Sequence, residues 1–173
     1  MKTERDEQFH SFVLSHRAQL VRTATLLTAG DQHLAEDLVQ STLTKLYVAW
    51  PAFRRADNPE GYLRRTLVNA LTDERRRWWR RHERSVAELP DRPQSETGGT
   101  DDGNDGIRAA LRELPPRMRA ALVFRYFYDL GVADTADALG CSEGTVKSQT
   151  AKALERLRDV LAQTDIPLTG VIR

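Results

Sequence analysis

A segment in the middle of the chain constrains the fold more than any other sequence feature. The run DRPQSETGGTDDGNDG (91–106) contains no aliphatic or aromatic side chain, and it holds five acidic residues and four of the ten glycines. Such a segment has no apolar surface whose burial would offset the entropy lost on ordering. It therefore predicts a flexible acidic linker that divides the 173 residues into two small domains.

Both flanking parts carry the apolar spacing of amphipathic helices. Apolar residues recur at intervals of three and four along 9–27, 34–50 and 63–71, and shorter stretches with similar spacing follow the linker. No stretch alternates apolar and polar residues over a β-branched run. The sequence therefore predicts an all-α protein of two small helical domains. Its parts are an N-terminal domain over 1–90, the linker over 91–106, a C-terminal domain over 107–165 and a tail over 166–173.

Glycine, proline and capping residues predict where the long helices begin and end. Gly30 ends the first helix, and Asp31 provides a side-chain cap for the second. Pro51 stops the second helix, because proline lacks the backbone N–H that a helix interior needs. Asn58, followed by a proline, starts the third long helix, which we expect to run to about Arg84.

The formal net charge of +1 conceals an uneven distribution. Residues 1–90 carry +3, the linker −4 and residues 107–173 +2, so the near-neutral total does not argue against a nucleic-acid partner. The single Cys141 excludes a disulfide framework, and the histidines at 10, 16, 33 and 82 are too dispersed for a metal site. We expect no cofactor and no metal. Because no long apolar run or signal sequence is visible, we also expect a cytoplasmic protein.

The segment from Val132 to Leu161 has the spacing of a helix-turn-helix unit. A short helix ends at Gly140, a turn follows, and a second helix opens at Ser142, a suitable N-cap. Short polar and basic side chains at the start of the second helix are suited to reading bases in a DNA major groove. The expected contact residues are Thr145, Lys147, Ser148, Gln149 and Lys152. The alternative at this point is an ordinary helical hairpin with a solvated polar face.

The same turn also matches the G-x-S-x-G pattern of serine hydrolases, over residues 140–144. That pattern requires a strand before the serine and a histidine partner later in the chain. Here a predicted helix precedes the turn, and no histidine follows Ser142. We therefore predict no catalytic residue and no enzymatic activity.

Six arginines and two tryptophans crowd the end of the third long helix, between Arg75 and Arg84. Guanidinium groups neutralise phosphates, and aromatic rings stack on unpaired bases. The dipole of a helix favours one or a few cations near its C-terminus. Six arginines are more than this effect accounts for, so the run predicts contact with nucleic acid. The alternative is a solvated helix end with packed tryptophans.

An acidic and polar face lies on the leucine-striped second helix. It contains Glu36 and Asp37, followed by Gln40. Such a face suits docking of a basic partner, and it equally suits a solvated surface with i,i+4 side-chain pairs. The residues alone leave this choice open.

Three runs of the sequence together resemble the bacterial sigma-70 family. They are LAEDLVQSTLTKLYVAW (34–50), NPEGYLRRTLVNALTDERRR (58–77) and LPPRMRAALVFRYFYDLGVADTADALGCSEGTVKSQTAKALERLR (114–158). They follow the family's order and are most similar to the short extracytoplasmic-function (ECF) group, in particular its SigE-like actinobacterial branch. The resemblance implies an RNA polymerase sigma factor, monomeric when free, that directs core RNA polymerase to promoter DNA and assists promoter melting.

The resemblance also implies a role for each cluster. Glu36, Asp37 and Gln40 match the region that docks on core polymerase, and the helix-turn-helix unit matches the reader of the minus-thirty-five element. Residues of the N-terminal domain match the part that reads and melts the minus-ten element; they are Trp50, Phe53, Arg54, Arg55, Arg64, Arg65, Asn69, Arg75, Arg76 and Trp78. The linker matches a segment that enters the RNA channel of the polymerase, and an anti-sigma factor is a further candidate partner.

Two other functions fit parts of the sequence. A stand-alone helix-turn-helix regulator would be dimeric and would bind a palindromic duplex site. An anti-sigma or adaptor protein would use the arginine run to bind an acidic partner instead of DNA. Oligomeric state and a DNA footprint distinguish the dimeric regulator from a sigma factor. For the adaptor protein, DNA would not compete with the acidic partner for the arginine run.

Overall fold

The computed structural model describes residues 3–83 and 105–164, and every regular element in these two ranges is a helix. The N-terminal domain consists of α1 (Glu4–Leu27), α2 (Gln32–Val48), α3 (Trp50–Arg54) and α4 (Pro59–Glu83). The C-terminal domain consists of α5 (Asp105–Arg112), α6 (Pro116–Leu122), a π-helical turn (Val123–Phe127), α7 (Val132–Leu139) and α8 (Glu143–Thr164). The all-α prediction is confirmed. The predicted linker up to residue 104 and the predicted tail lie outside the described residues.

The capping residues act as the sequence predicts. The Asp31 carboxylate accepts a hydrogen bond from the backbone N–H three residues later at 3.0 Å, and the Asn58 side chain does the same at 2.9 Å. After α1 the chain turns through Ala29 and Gly30, whose φ angles are +53° and +86°. This turn brings α2 back along α1 and buries Ala29.

The chain after α2 differs from the prediction. The short helix α3 follows α2 directly after Ala49, where the sequence predicted only that Pro51 stops the second helix. Pro51 lies in the first turn of α3, where its missing N–H is harmless because that position has no partner inside the helix. Pro51 therefore belongs to the start of a new helix.

Leucine side chains between α1, α2 and α4 form the main core of the N-terminal domain. Leu27, Leu38 and Leu67 are buried there. Their positions follow from helical periodicity, since residues three or four apart share one face. The core fixes α2 and α4 side by side.

A second cluster is aromatic and joins α1, α3 and the start of α4. Its rings are Phe9, Phe12, Trp50, Phe53 and Tyr62, and neighbouring centroids lie 5.1–6.4 Å apart. Most neighbours meet edge to face, the arrangement that the charge distribution of aromatic rings favours. The cluster holds α3 against the body of the domain.

The two domains pack directly against each other through three apolar clusters, and the main core of the N-terminal domain itself includes Ala120 and Val123. At the end of α1, Ala29 packs in one cluster with Ile107 and Leu111 of α5. On α4, Val68 packs in another cluster with Phe124 and Ala138 of the C-terminal domain. This packing was not predicted from the sequence.

Polar contacts accompany this apolar packing between the domains. The guanidinium of Arg119 donates to the carbonyl of Leu27 at 3.1 Å, and Arg112 Nε donates to the carbonyl of Ala29 at 3.2 Å. On the other side, the side chains of Arg65 and Asp137 form an ion pair at 3.6 Å. We call all these contacts, apolar and polar, the interdomain seam.

The start of α1 is attached to the end of α2 by a hydrogen bond. The Tyr47 hydroxyl donates to the Asp6 carboxylate at 2.6 Å, and Thr3 and Asp6 form a reciprocal cap. The bond from Tyr47 and those from Thr3 lower the pKa of Asp6 from 3.8 to about 2. The charged carboxylate is therefore favoured in the folded chain.

We predict that Tyr47→Phe raises the pKa of Asp6, because the largest cause of its shift is removed. Since the folded-state value is the lower one, the stabilisation is present above about pH 4 and is lost as the pH falls through about 2. An NMR titration of the Asp6 side-chain carboxyl measures its pKa in the wild-type chain and in Tyr47→Phe. Tyr62→Phe is the matched control, and an unchanged Asp6 titration in Tyr47→Phe would contradict the prediction.

Candidate nucleic-acid interface

The helix-turn-helix unit forms as the glycine and serine spacing predicts. Gly140 ends α7 with φ +63°, in the left-handed region that glycine adopts readily. The Cys141 N–H donates to the carbonyl of Ala136 at 3.0 Å, and the Ser142 hydroxyl accepts from the Thr145 N–H at 3.1 Å. The turn is held at both ends, and α8 begins with Glu143 and Gly144 exposed.

The predicted contact residues on α8 divide into two groups. Lys147, Ser148 and Lys152 are exposed, whereas Thr145 and Gln149 are half-buried. The Thr145 hydroxyl lies 2.9 Å from the hydroxyl of Ser142, so it takes part in the helix cap. Lys147, Ser148 and Lys152 therefore form the accessible basic and polar face of the helix.

Gln149 lies on the inward edge of α8, between the buried residues Val146 and Ala153 on the same helix. Its Oε1 is buried and has no hydrogen-bond partner within the described ranges. Bidentate pairing with adenine requires both the oxygen and the nitrogen of the amide. As folded, the amide oxygen of Gln149 is turned inward, and its role in base reading stays a prediction.

Ala151 is a residue that the sequence reasoning missed. It is exposed, one turn after Lys147 and beside Lys152. Helical spacing puts residues three and four apart on one face, and this signal was available in the sequence. A methyl group there suits contact with the methyl group of thymine.

The predicted minus-ten residues on α4 lie along the length of the helix, and most of them are exposed. Asn69, Arg75 and Arg76 are exposed, while Arg64 forms an ion pair with Glu60 at 3.0 Å. Arg65, also exposed, faces Asp137 across the interdomain seam. Trp78 belongs to α4, but its side chain lies outside the described residues.

A buried carboxylate anchors this part of α4 and was not singled out in the sequence. Glu74 is only 7 % exposed, and its Oε1 accepts bonds from Ser41 at 3.0 Å and from Arg77 at 2.9 Å. One helical turn away on α2, Lys45 pairs with Asp73 at 2.5 Å and holds the pKa of that carboxyl below its usual value. Both contacts join α2 to α4.

The residues around α3 are placed differently from the prediction. Trp50 and Phe53 are 5 % and 6 % exposed inside the aromatic cluster. Their faces are covered by other rings in this structure, and their minus-ten role stays a prediction. Arg54 and Arg55 are exposed; Arg54 donates to the side chain of Gln8, and Arg55 Nε donates to a backbone carbonyl at 3.1 Å.

The acidic and polar residues of α2 form one continuous exposed stripe. Glu36, Asp37 and Gln40 are all exposed. The same face continues through Thr44 to Val48, whose side chain is 73 % exposed. The four-residue spacing of the helix accounts for the place of Thr44 and Val48 on this face.

Two cavities lie near these faces, and the larger, of about 200 Å³, is lined by residues that include Gly30, Glu36 and Arg108. A cavity of about 30 Å³ lies between the domains beside His16, Arg64 and Tyr128, which is room for about one water molecule. The residues that the structure describes contain no group of three or more potential metal ligands. They also contain no helix that is both long and apolar enough to cross a membrane.

Two family models match the two domains. Sigma-70 region 2 matches residues 12–81, and sigma-70 region 4 matches residues 105–157. The RNA polymerase sigma-E factor of Streptomyces coelicolor is 32% identical over 169 residues, which is 96% of this chain and 93% of that protein. The ECF RNA polymerase sigma factor SigM of Mycobacterium tuberculosis is 32% identical over 94% of this chain and 80% of its own length. The chain therefore belongs to the sigma-70 family.

Solved structures agree with this assignment. The sigma factor RpoE of Bartonella quintana, crystallised in complex with the anti-sigma factor NepR, matches with a TM-score of 0.72 and 26% identity over 90% of this chain and 98% of that one. CnrH, in complex with the cytosolic domain of CnrY, matches with a TM-score of 0.58 and 18% identity over 90% and 88%, and it supports the fold alone. Within the family the relatives place the chain in the ECF group, close to its SigE-like branch. It is an RNA polymerase sigma factor, and sigma factors are generally non-enzymatic initiation factors.

We predict different effects for two neighbouring substitutions on α8. Lys147→Ala should weaken binding to a mixed-sequence duplex and lower the salt slope of log K by about 0.9, the value for one lost phosphate contact. Gln149→Ala should change the slope little, because glutamine is uncharged and releases no counterion from the DNA. Fluorescence anisotropy over a salt series measures both. An equal loss of slope in the two variants would contradict the assignment of a phosphate contact to Lys147.

Proposed function

We propose that the three exposed polar faces divide the work of promoter recognition. The domain over residues 1–90 binds core polymerase and the minus-ten element, the linker over 91–106 joins the two parts, and the domain over 107–165 binds the minus-thirty-five element. The observation that carries this proposal is that α2, α4 and α8 each present a separate exposed polar face in a chain that both sigma regions match. None of the faces needs a catalytic residue or a cofactor.

The face of α8 is suited to duplex DNA. Lys147 and Lys152 project from the exposed side of the helix, with Ser148 and Ala151 between them. Lysine binds phosphate or the acceptor atoms of guanine, and the serine hydroxyl can donate to or accept from the edge of a base. The alanine methyl group suits contact with the methyl group of thymine. Thr145 contributes by closing the cap that holds the helix start in place.

The face of α4 is suited to an unpaired strand. Asn69 supplies both a donor and an acceptor for a base edge, and Arg75 and Arg76 supply charge for the backbone. Arg54 and Arg55 extend the same basic character to the short helix α3. The buried rings of Trp50 and Phe53 act in this proposal as a rigid support for α3 and not as stacking partners.

The face of α2 is suited to a partner helix that carries basic side chains. Its two carboxylates, Glu36 and Asp37, provide charge, and Gln40 and Thr44 provide hydrogen bonds. Val48 adds an apolar contact at the far end of the same stripe. We assign this face to core polymerase.

We further propose that the free protein is a monomer that works in the cytoplasm with core polymerase, and that an anti-sigma factor is a partner. The support is that the matched Bartonella quintana chain was crystallised with an anti-sigma factor and resembles this chain over 98% of its length. Gel filtration of the free chain tests the monomer directly. A dimer that protects a palindromic duplex would favour the helix-turn-helix regulator instead.

We predict that Asp37→Ala and Gln40→Ala each lower the affinity for core polymerase, because each removes a polar group from the exposed stripe of α2. The loss should be about tenfold or less for each, as expected when one exposed contact at an interface is removed. Competition with a labelled sigma factor measures it. Asp159→Ala on α8 is the matched control for the first variant, and an equal loss in the control would contradict the assignment of the face.

We predict that Asn69→Ala slows open-complex formation on a promoter that the wild-type chain transcribes with core polymerase. The side chain is exposed, so its removal should leave the fold intact. A fluorescent probe of strand separation measures the rate, and circular dichroism checks the helix content. Unchanged melting by Asn69→Ala would contradict the minus-ten role of α4.

A further inference from the structure

The start of α8 extends the exposed face that the proposed function assigns to duplex DNA. Residues four apart on a helix share a face, so Glu143 continues the row of Lys147 and Ala151 toward the N-terminus of α8. Gly144 continues the neighbouring row of Ser148 in the same way, and all these positions are exposed. The exposed face therefore begins at Glu143, one helical turn before Lys147.

The carboxylate of Glu143 is an acceptor that a ligand can reach. Within the described ranges it takes part in no hydrogen bond and no ion pair, although Lys147 lies at the i,i+4 spacing that favours pairing on a helix surface. The neighbouring hydroxyls of Ser142 and Thr145 lie 2.9 Å from each other and are used in the helix cap. Glu143 therefore provides the accessible polar side chain in the first turn of α8.

Gly144 has neither a conformational nor a packing reason to be a glycine. Its φ angle lies outside the left-handed region, and a Cβ at this position would lie 3.8 Å from the Ser142 hydroxyl, an ordinary contact distance. Glycine in a helix costs stability relative to alanine. Glycine is used where a backbone must approach a ligand closely, so the gap at Gly144 gives a partner molecule access to the start of the helix.

A carboxylate on a DNA-facing helix accepts only a small part of what the major groove offers. Phosphates and the acceptor atoms of guanine and thymine repel it, whereas the amino group of cytosine donates to it. Adenine presents its amino group beside the N7 acceptor, which an ionised carboxylate does not match. Since the first residues of a recognition helix contact base edges, an acid at this position favours cytosine.

From these observations we propose that Glu143 is a specificity-determining residue of the minus-thirty-five reader. Its carboxylate accepts a hydrogen bond from the amino group of a cytosine in the major groove, and the gap at Gly144 allows the approach. The proposal rests on the proposed function, because it assumes that α8 enters duplex DNA. It adds a preference for one C·G pair, at the end of the element that the start of α8 reaches.

The experiment uses the full chain bound to core polymerase, on a promoter that this holoenzyme transcribes. Each base pair of the upstream duplex element is changed singly, and competition with the unchanged promoter measures the relative affinity. Glu143→Ala is the test variant. Glu155→Ala is the matched control, because it removes an exposed carboxylate from the same helix about 18 Å further along its axis. Circular dichroism confirms that each chain keeps its helix content.

The wild-type chain and the Glu155→Ala control should lose affinity about tenfold when one particular C·G pair is replaced, as expected when a base edge loses its partner. Glu143→Ala should bind all four base pairs at this position about equally, and its preferences at the other positions should stay as in the wild type. Its affinity for a mixed-sequence duplex should rise, because the carboxylate no longer repels the phosphates.

Gly144→Ala tests the close approach by a change that should stabilise the free protein. The added methyl group fits the folded chain and favours the helix, so Tm should rise by about 2 °C. The same methyl group fills the gap at the helix start, so the affinity for the unchanged promoter should fall severalfold. A purely structural role of Gly144 would not make the protein more stable and its DNA binding weaker at the same time.

Three results would overturn the proposal. One is a Glu143→Ala holoenzyme that keeps every base preference of the wild type, or that loses its preference for a pair other than C·G. Another is an equal change of preference in the Glu155→Ala control. The third is a Gly144→Ala chain that is as stable as the wild type and binds the promoter equally well. Failure of the sigma function itself would show separately, as a wild-type chain that gives no promoter-directed transcript with core polymerase.

Discussion

The packing of α4 on two sides is the constraint on which the rest of the structure depends. Leu67 and Leu71 lie in the core shared with α2, while Val68, on a neighbouring face, packs against the C-terminal domain. A helix covered on two sides has only a narrow strip left for solvent. Asn69 and the exposed arginines occupy that strip, so the core determines which residues of α4 a partner molecule can reach.

The contacts between α2 and α4 fix two working surfaces relative to each other. A buried carboxylate is costly unless it is hydrogen-bonded, and Glu74 meets that condition through Ser41 and Arg77. The ion pair of Lys45 with Asp73 adds a second link one turn away. Neither helix can rotate about its axis without breaking these contacts, so the exposed stripes of α2 and α4 keep a constant angle.

Local features of the fold were predictable from the sequence, and features that depend on distant partners were not. Asp31 and Asn58 cap their helices as expected, because a cap needs only a side chain and a backbone N–H three residues away. The burial of Trp50 agrees with its place at the end of the apolar spacing of 34–50, but its partners are rings about forty residues earlier, which that spacing does not identify. The half-burial of Gln149 depends on the phase of α8, in which Val146 and Ala153 face inward. The interdomain seam consists of contacts between residues far apart in the sequence, such as Arg119 with Leu27, so no local sequence pattern predicts it.

The links between α2 and α4 have a consequence for how such a protein diversifies. The residues that join the helices, Lys45, Asp73 and Glu74, are separate from the exposed residues that the proposal assigns to DNA and to polymerase. Substitutions at Asn69 can therefore alter promoter preference while the angle to the enzyme stays the same. A genome can hold many copies of this scaffold with different promoter specificities, all served by a single transcribing enzyme.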